Sequence, residues 1–100
     1  MSLVQSTLEA INFEAEYDVA LINISMHECR DVEQVTANVH RALKPGGYFV
    51  ISDFPFPESV EACRTVLARI MYGIQFFEAL VGDQLLPTAD FEELLKRHGF

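Results

Sequence analysis

"RALKPGGYFVISDF", Arg41 to Phe54, reads as the end of a helix, a tight turn and a buried strand. Pro45 pushes Lys44 away from helical geometry and stops the helix. Gly46 and Gly47 are expected to take the positive-φ positions of the turn. Tyr48 to Ser52 is then apolar without alternation, the pattern of a strand covered on both faces, as in parallel sheets. The strand leaves the core at an acid, Asp53.

Upstream, Asp31 is placed to cap the same helix, and Gln34 to reach back as in a capping box. Val32, Val35, Val39, Ala42 and Leu43 repeat at helical spacing and make one apolar face. Before that helix, Val19 to Ile24 is a second short apolar run without alternation. Strand, crossover helix and strand form a βαβ unit, which requires parallel strands and predicts a right-handed crossover. Residues 1–16 are weakly patterned and read as a poorly defined lead-in in which Val4, Leu8 and Ile11 share a face.

Downstream, "FPFPES" cannot be helix or central strand, because its prolines lack donors. A long helix is predicted from about Ser59. Val60, Cys63, Leu67, Ile70, Ile74, Phe77 and Val81 form its seam-like stripe, and Gly73 marks an expected break or kink. Thr88 is expected to cap a last helix. Acids lie in its first turns and Lys96, Arg97 and His98 at its end, an order that suits the helix dipole.

One hundred residues, half of them hydrophobic, suggest a single domain at most. The net charge of −8 argues against nucleic acid or an anionic membrane surface as a partner. No apolar run approaches the ~20 residues of a membrane span, and no secretion signal opens the chain. Cys29 and Cys63 stand in unlike contexts and form no CxxC pair, which predicts a reducing, cytoplasmic setting.

In open parallel sheets ligands sit outside the carboxyl ends of the strands. Two segments reach that edge, Asn23 to Asp31 and Ser52 to Glu58. His27 lies just past a strand end, where an imidazole, with an ordinary pKa near ~6.5, suits general-base work. A surface or capping histidine is the plainer alternative. Asp31 reads as a cap, and Asp53 as an acid facing a polar ligand or forming a turn. His27, Glu28 and Cys29 are consecutive and point in different directions, so no metal is expected. No Gly-x-Ser-x-Gly elbow is present. Tyr72, Phe76 and Phe77 read as core or interface, or as one wall of an apolar pocket.

"EYDVALINISMHE", "VTANVHRALKPGGYFVISDF" and "LLPTADFEELLKRHGF" occur in this order and resemble the class I S-adenosylmethionine-dependent methyltransferases from Tyr17 to Phe100. They look like the family's fourth strand and loop, its next helix with the proline-glycine-glycine turn and fifth strand, and a late helix. The resemblance implies an α/β fold, a partial Rossmann-like domain over 1–100. The glycine-rich cofactor loop and the ribose-binding acid have no counterpart in these residues and would lie upstream of Met1. The final strand pair would follow Phe100.

His27-Glu28-Cys29-Arg30-Asp31 is similar to the histidine-acid-x-x-aspartate stretch of small-molecule O-methyltransferases, with Cys29 where the family usually has an aromatic. By that likeness His27 would be the general base for a small-molecule hydroxyl. Asn23 and Ile24 would lie near S-adenosylmethionine. Met26, Asp53, Phe54 and the helix from Val60 to Phe77 would border the methyl acceptor. The isolated chain is expected to be inactive and to bind the cofactor weakly or not at all. A homo-oligomer is expected, because two strands and an apolar stripe need cover. The competing reading is a non-catalytic interaction module on the same half-fold, pairing through the Val60 to Val81 stripe. A dehydrogenase-like nucleotide fold ranks third.

Overall fold

The computed structural model describes residues 2–59 and 61–100, apart from the side chain of Cys63. Strands β1 (Tyr17–Asn23) and β2 (Leu43–Ser52) run parallel, joined by helix α1 (Val32–Ala42). Helices α2 (Val66–Leu80) and α3 (Thr88–Arg97) follow. This is the α/β arrangement the sequence predicts, with both loops that leave the carboxyl ends of the strands on one edge.

Asp31 caps α1 by accepting the Gln34 backbone N–H at 3.0 Å. Only this half of the capping box forms. The Gln34 side chain donates to Asn38 at 2.8 Å, and the Asp31 N–H donates to the Glu9 carboxylate. The helix ends at Ala42, and Leu43 is already extended. β2 therefore begins before the turn instead of after it. Tyr17 pairs with Leu43 and Val19 with Tyr48, so Lys44 to Gly47 bulge out between two stretches of one strand. Gly46 has the expected positive φ of 81°, but Gly47 does not share it. Gly47 is required for another reason. A Cβ there would lie 3.0 Å from the backbone oxygens of Asp18 and Lys44.

Val35 and Val39 of α1 pack on the sheet residues Ile22 and Leu43 and on Met26, and Leu94 of α3 completes the core. The lead-in is tied to α1. Buried Asn38 donates to the carbonyls of Leu8 and Glu9, and Arg41 donates to that of Ile11. Ala20, Ile22, Phe49 and Ile51 turn toward the core. Val19, Leu21, Tyr48 and Val50 are exposed on the other face, Leu21 at 68% and Tyr48 at 71%. Strands written for cover on two faces are covered on one among the described residues.

The helix expected from Ser59 begins at Val66. Thr65 caps it, its side chain accepting the Ala68 N–H at 3.1 Å, after a separate 3-10 turn at Ala62–Arg64. Val60 and the Cys63 side chain, both assigned to the stripe, lie outside the described residues. Leu67, Ile70, Phe77 and Val81 are exposed, while Ala68 and Met71 are the residues α2 buries. Gly73 does not break the helix, which runs through it. Thr88 makes no side-chain cap; Glu58 accepts the Ala89 N–H at 3.1 Å instead. Among the described residues no helix is long and apolar enough to cross a membrane.

Candidate active site

The site is built where β1 leaves the sheet. Ile24 closes the strand pairing by donating its N–H to the Ser52 carbonyl at 2.6 Å, and it does so at φ +51°. A β-branched residue there is strained, and such strain persists only where surrounding structure holds it. The reversal sends the chain back into the fold as a 3-10 turn, Met26–Glu28, in which Met26 and His27 are buried.

Asp53 follows Ser52, the residue paired with Asn23, so the two carboxyl-end loops meet. Its carboxylate receives three donors. The His27 backbone N–H reaches Oδ2 at 3.0 Å, the His27 ring Nδ1 reaches Oδ1 at 2.6 Å, and the Phe54 N–H reaches Oδ1 at 2.8 Å. A carboxylate only accepts, so the ring donates to it from Nδ1–H, and in the neutral imidazole this leaves the lone pair on Nε2. Both side chains are nearly sealed from solvent, at 1% and 3% exposure. Nε2 has no hydrogen-bond partner among the described residues. It faces the carboxylates of Glu78 on α2 at 3.4 Å and of Glu28 at 4.0 Å.

A hollow of about 480 Å³ adjoins His27 and is lined by Cys29, Arg30, Asp83 and Leu86 among others. Burial, followed by the nearby carboxylates of Glu9, Glu28, Asp53 and Asp83, pushes the Cys29 thiol up from its ordinary value. Cys29 therefore stays a neutral thiol, its Sγ turned to the Ser25 carbonyl at 3.5 Å.

The structure thus brings together His27 and Asp53, named separately from sequence, with the Phe54 ring 6.1 Å from the imidazole. Asn23 and Ile24 stand exposed at the strand end. Met26 is fully buried in the core beneath the site. Glu78 was missed, since nothing in the local pattern of α2 distinguishes it from a solvated helix acid. The pairing of Asp53 with His27 was within reach, because a parallel βαβ unit sets the ends of its two strands side by side.

A model of the methyltransferase-domain family matches residues 1–51. Over 100 residues the chain is 32% identical to an uncharacterized methyltransferase of Synechocystis sp., covering 97% of this chain and 45% of that protein. It is 28% identical over 98 residues to a ubiquinone/menaquinone biosynthesis C-methyltransferase of Shewanella sp., covering 95% and 37%. Among solved structures, a SAM-dependent methyltransferase of Thermotoga maritima, described as a possible histamine N-methyltransferase, superposes with a TM-score of 0.77 at 19% identity. That likeness covers 97% of this chain and 44% of the other.

The parallel strand pair and its helices have the α/β fold of the class I S-adenosylmethionine-dependent methyltransferases. The chain belongs to the methyltransferase-domain family. It spans under half the length of these relatives.

Proposed function

We propose that this chain carries the base-bearing part of an S-adenosylmethionine-dependent methyltransferase acting on a small molecule, with a hydroxyl as acceptor and His27 as general base. The observation that carries the reading is the Asp53–His27 pair, which leaves a buried Nε2 with no hydrogen-bond partner among the described residues at the carboxyl edge of the sheet. When bound, S-adenosylmethionine supplies an electrophilic methyl group on a sulfonium. Asn23 and the strained Ile24 offer one wall for it. These hundred residues hold no glycine-rich loop to close the other side.

His27 Nε2 takes the acceptor's proton as the acceptor attacks. Asp53 holds the tautomer that makes this possible and stabilises the imidazolium that results. The acceptor enters from the hollow beside Cys29 and Arg30 once the Glu78 side chain turns away, with Phe54 bordering it. Met26 supports the turn from below.

A complete enzyme containing this chain tests the reading. His27→Ala is expected to lower turnover by about 10²–10⁴-fold and to leave cofactor affinity nearly unchanged. Unchanged turnover would reduce His27 to a structural loop residue. The Shewanella relative's description as a C-methyltransferase favours a second acceptor, an acidic carbon, which needs the same proton removal. NMR of product made with ¹³C-methyl cofactor separates a methoxy from a carbon-bound methyl. The exposed apolar stripe of α2 favours the non-catalytic alternative, an interaction module, for which transfer would be absent altogether.

A further inference from the structure

We infer that His27, Glu28 and Glu78 bind a divalent transition-metal ion of zinc-like preference. One ligand atom from each lies within 4.8 Å of the others. Carboxylates gathered at a surface are common without an ion. Here a second observation points to one, because the buried His27 Nε2 lacks a hydrogen-bond partner among the described residues and is aimed between the two acids. An unpaired buried polar atom carries a desolvation penalty that calls for an explanation. A cation supplies it.

The geometry is close to that of a bound ion. Zinc–nitrogen and zinc–oxygen bonds of about 2.0–2.2 Å in a tetrahedron set neighbouring donors about 3.4 Å apart. Nε2 stands 3.4 Å from Glu78 and 4.0 Å from Glu28. The Glu28 side chain is 56% exposed and free to close the remaining gap by a rotamer change.

The outer shell is also in place. Metal-ligating histidines almost always donate their other ring N–H, often to a carboxylate, which fixes the tautomer and the ring plane. Asp53 does this for His27 at 2.6 Å.

Charge agrees as well. Neither Glu28 nor Glu78 has a lysine or arginine partner among the described residues, so no Lys or Arg charge offsets the two acids that face the His27 imidazole. One nitrogen and two carboxylate donors suit Zn²⁺ or Co²⁺ better than a hard, all-oxygen ion. Three protein ligands leave a fourth position for water or an exogenous ligand.

Metal ligation and proton acceptance use the same lone pair, so the ion-loaded chain cannot use His27 as a base. That consequence rests on the methyl-transfer reading, whereas ion binding itself does not.

Titration of the purified chain with Co²⁺, read by visible absorption, tests the site. Saturable 1:1 binding is expected, weakened at least tenfold in both Glu78→Gln and Glu28→Gln. Asp53→Asn should weaken it by about 10–100-fold. His98→Ala, which removes the histidine beside Glu33, should leave it unchanged. Glu28 is exposed enough that its substitution keeps the fold, which far-UV circular dichroism checks. Absence of saturation at about millimolar Co²⁺, or a titration unchanged in Glu28→Gln, would overturn the site. If His27→Ala still abolished methyl transfer in that case, the ion would fall and the base would stand.

Discussion

Gly47 sits where β2 bulges against β1, and two backbone oxygens at 3.0 Å would crowd an added methyl group. Backbone cannot yield as a flexible side chain can. Gly47→Ala should therefore destabilise the chain by about 1–3 kcal/mol, the usual cost of overpacking. Gly73 is the opposite case, mid-helix with nothing within 4 Å of an added Cβ. Gly73→Ala should stabilise by about 0.5–1 kcal/mol through helix propensity. Urea midpoints of the two variants should move in opposite directions; a common direction would contradict the packing described for the bulge. At the same scale, the strain at Ile24 has an evident use, since without the reversal at φ +51° His27 would not turn back to meet Asp53.

Among the elements, α3 is held to α1 by apolar contact and by a charged clasp. Leu94 and Phe91 reach the core, and Glu33 at the start of α1 bonds His98 and Arg97 at the end of α3. The hydrogen bond to His98 first, then that to Arg97, holds the Glu33 carboxyl below its ordinary value. A depressed carboxylate contributes stability above its unfolded pKa, about 4.3, and loses that contribution as pH falls through the lower folded value. The melting temperature of the unmodified chain should thus exceed that of Glu33→Gln at pH 7, with the gap closing as pH drops below about 4. A gap that did not narrow at all as pH fell from 7 into the acid range would count against this charge-based account of the clasp. The pair is solvent-exposed, so the effect should also shrink in high salt.

For the molecule as a whole, shape and surface tell the same story. The radius of gyration is 15.0 Å, above the roughly 13 Å of a compact 100-residue domain. Val19, Leu21, Tyr48 and Val50 lie bare on one sheet face, and Phe76 and Phe77 project from α2 at 65% and 69% exposure. Isolated two-stranded sheets are marginal, and their edges invite pairing. We propose that the isolated chain covers these faces by self-association. Light scattering at low micromolar concentration should give a mass above 11.3 kDa. A monomeric mass with a cooperative melt would count against it. Substituting Leu21 and Val50 by threonine should shift the population toward monomer, because both point away from the core.

The sequence by itself determined the elements and their order. Asp31 marks the start of α1 through local chemistry, and two apolar runs around an amphipathic helix permit little besides a parallel βαβ unit. The same topology singled out His27 and Asp53 as candidates, because it puts both strand ends on one edge. Tertiary structure decided what depends on contacts between distant segments. Gly47 is needed for its neighbours across the strand pair, a property absent from its own φ. The α2 stripe faces outward because burial follows what is available to pack against, which periodicity does not encode. The pairing of Nδ1 with Asp53 and the approach of Glu78 to Nε2 join residues 26 and 51 positions apart in the chain. Hydrogen-bond and ion-pair geometry at that separation exists only once the chain has folded, so the sequence could name His27 and Asp53 and set them on one edge but could not reach Glu78.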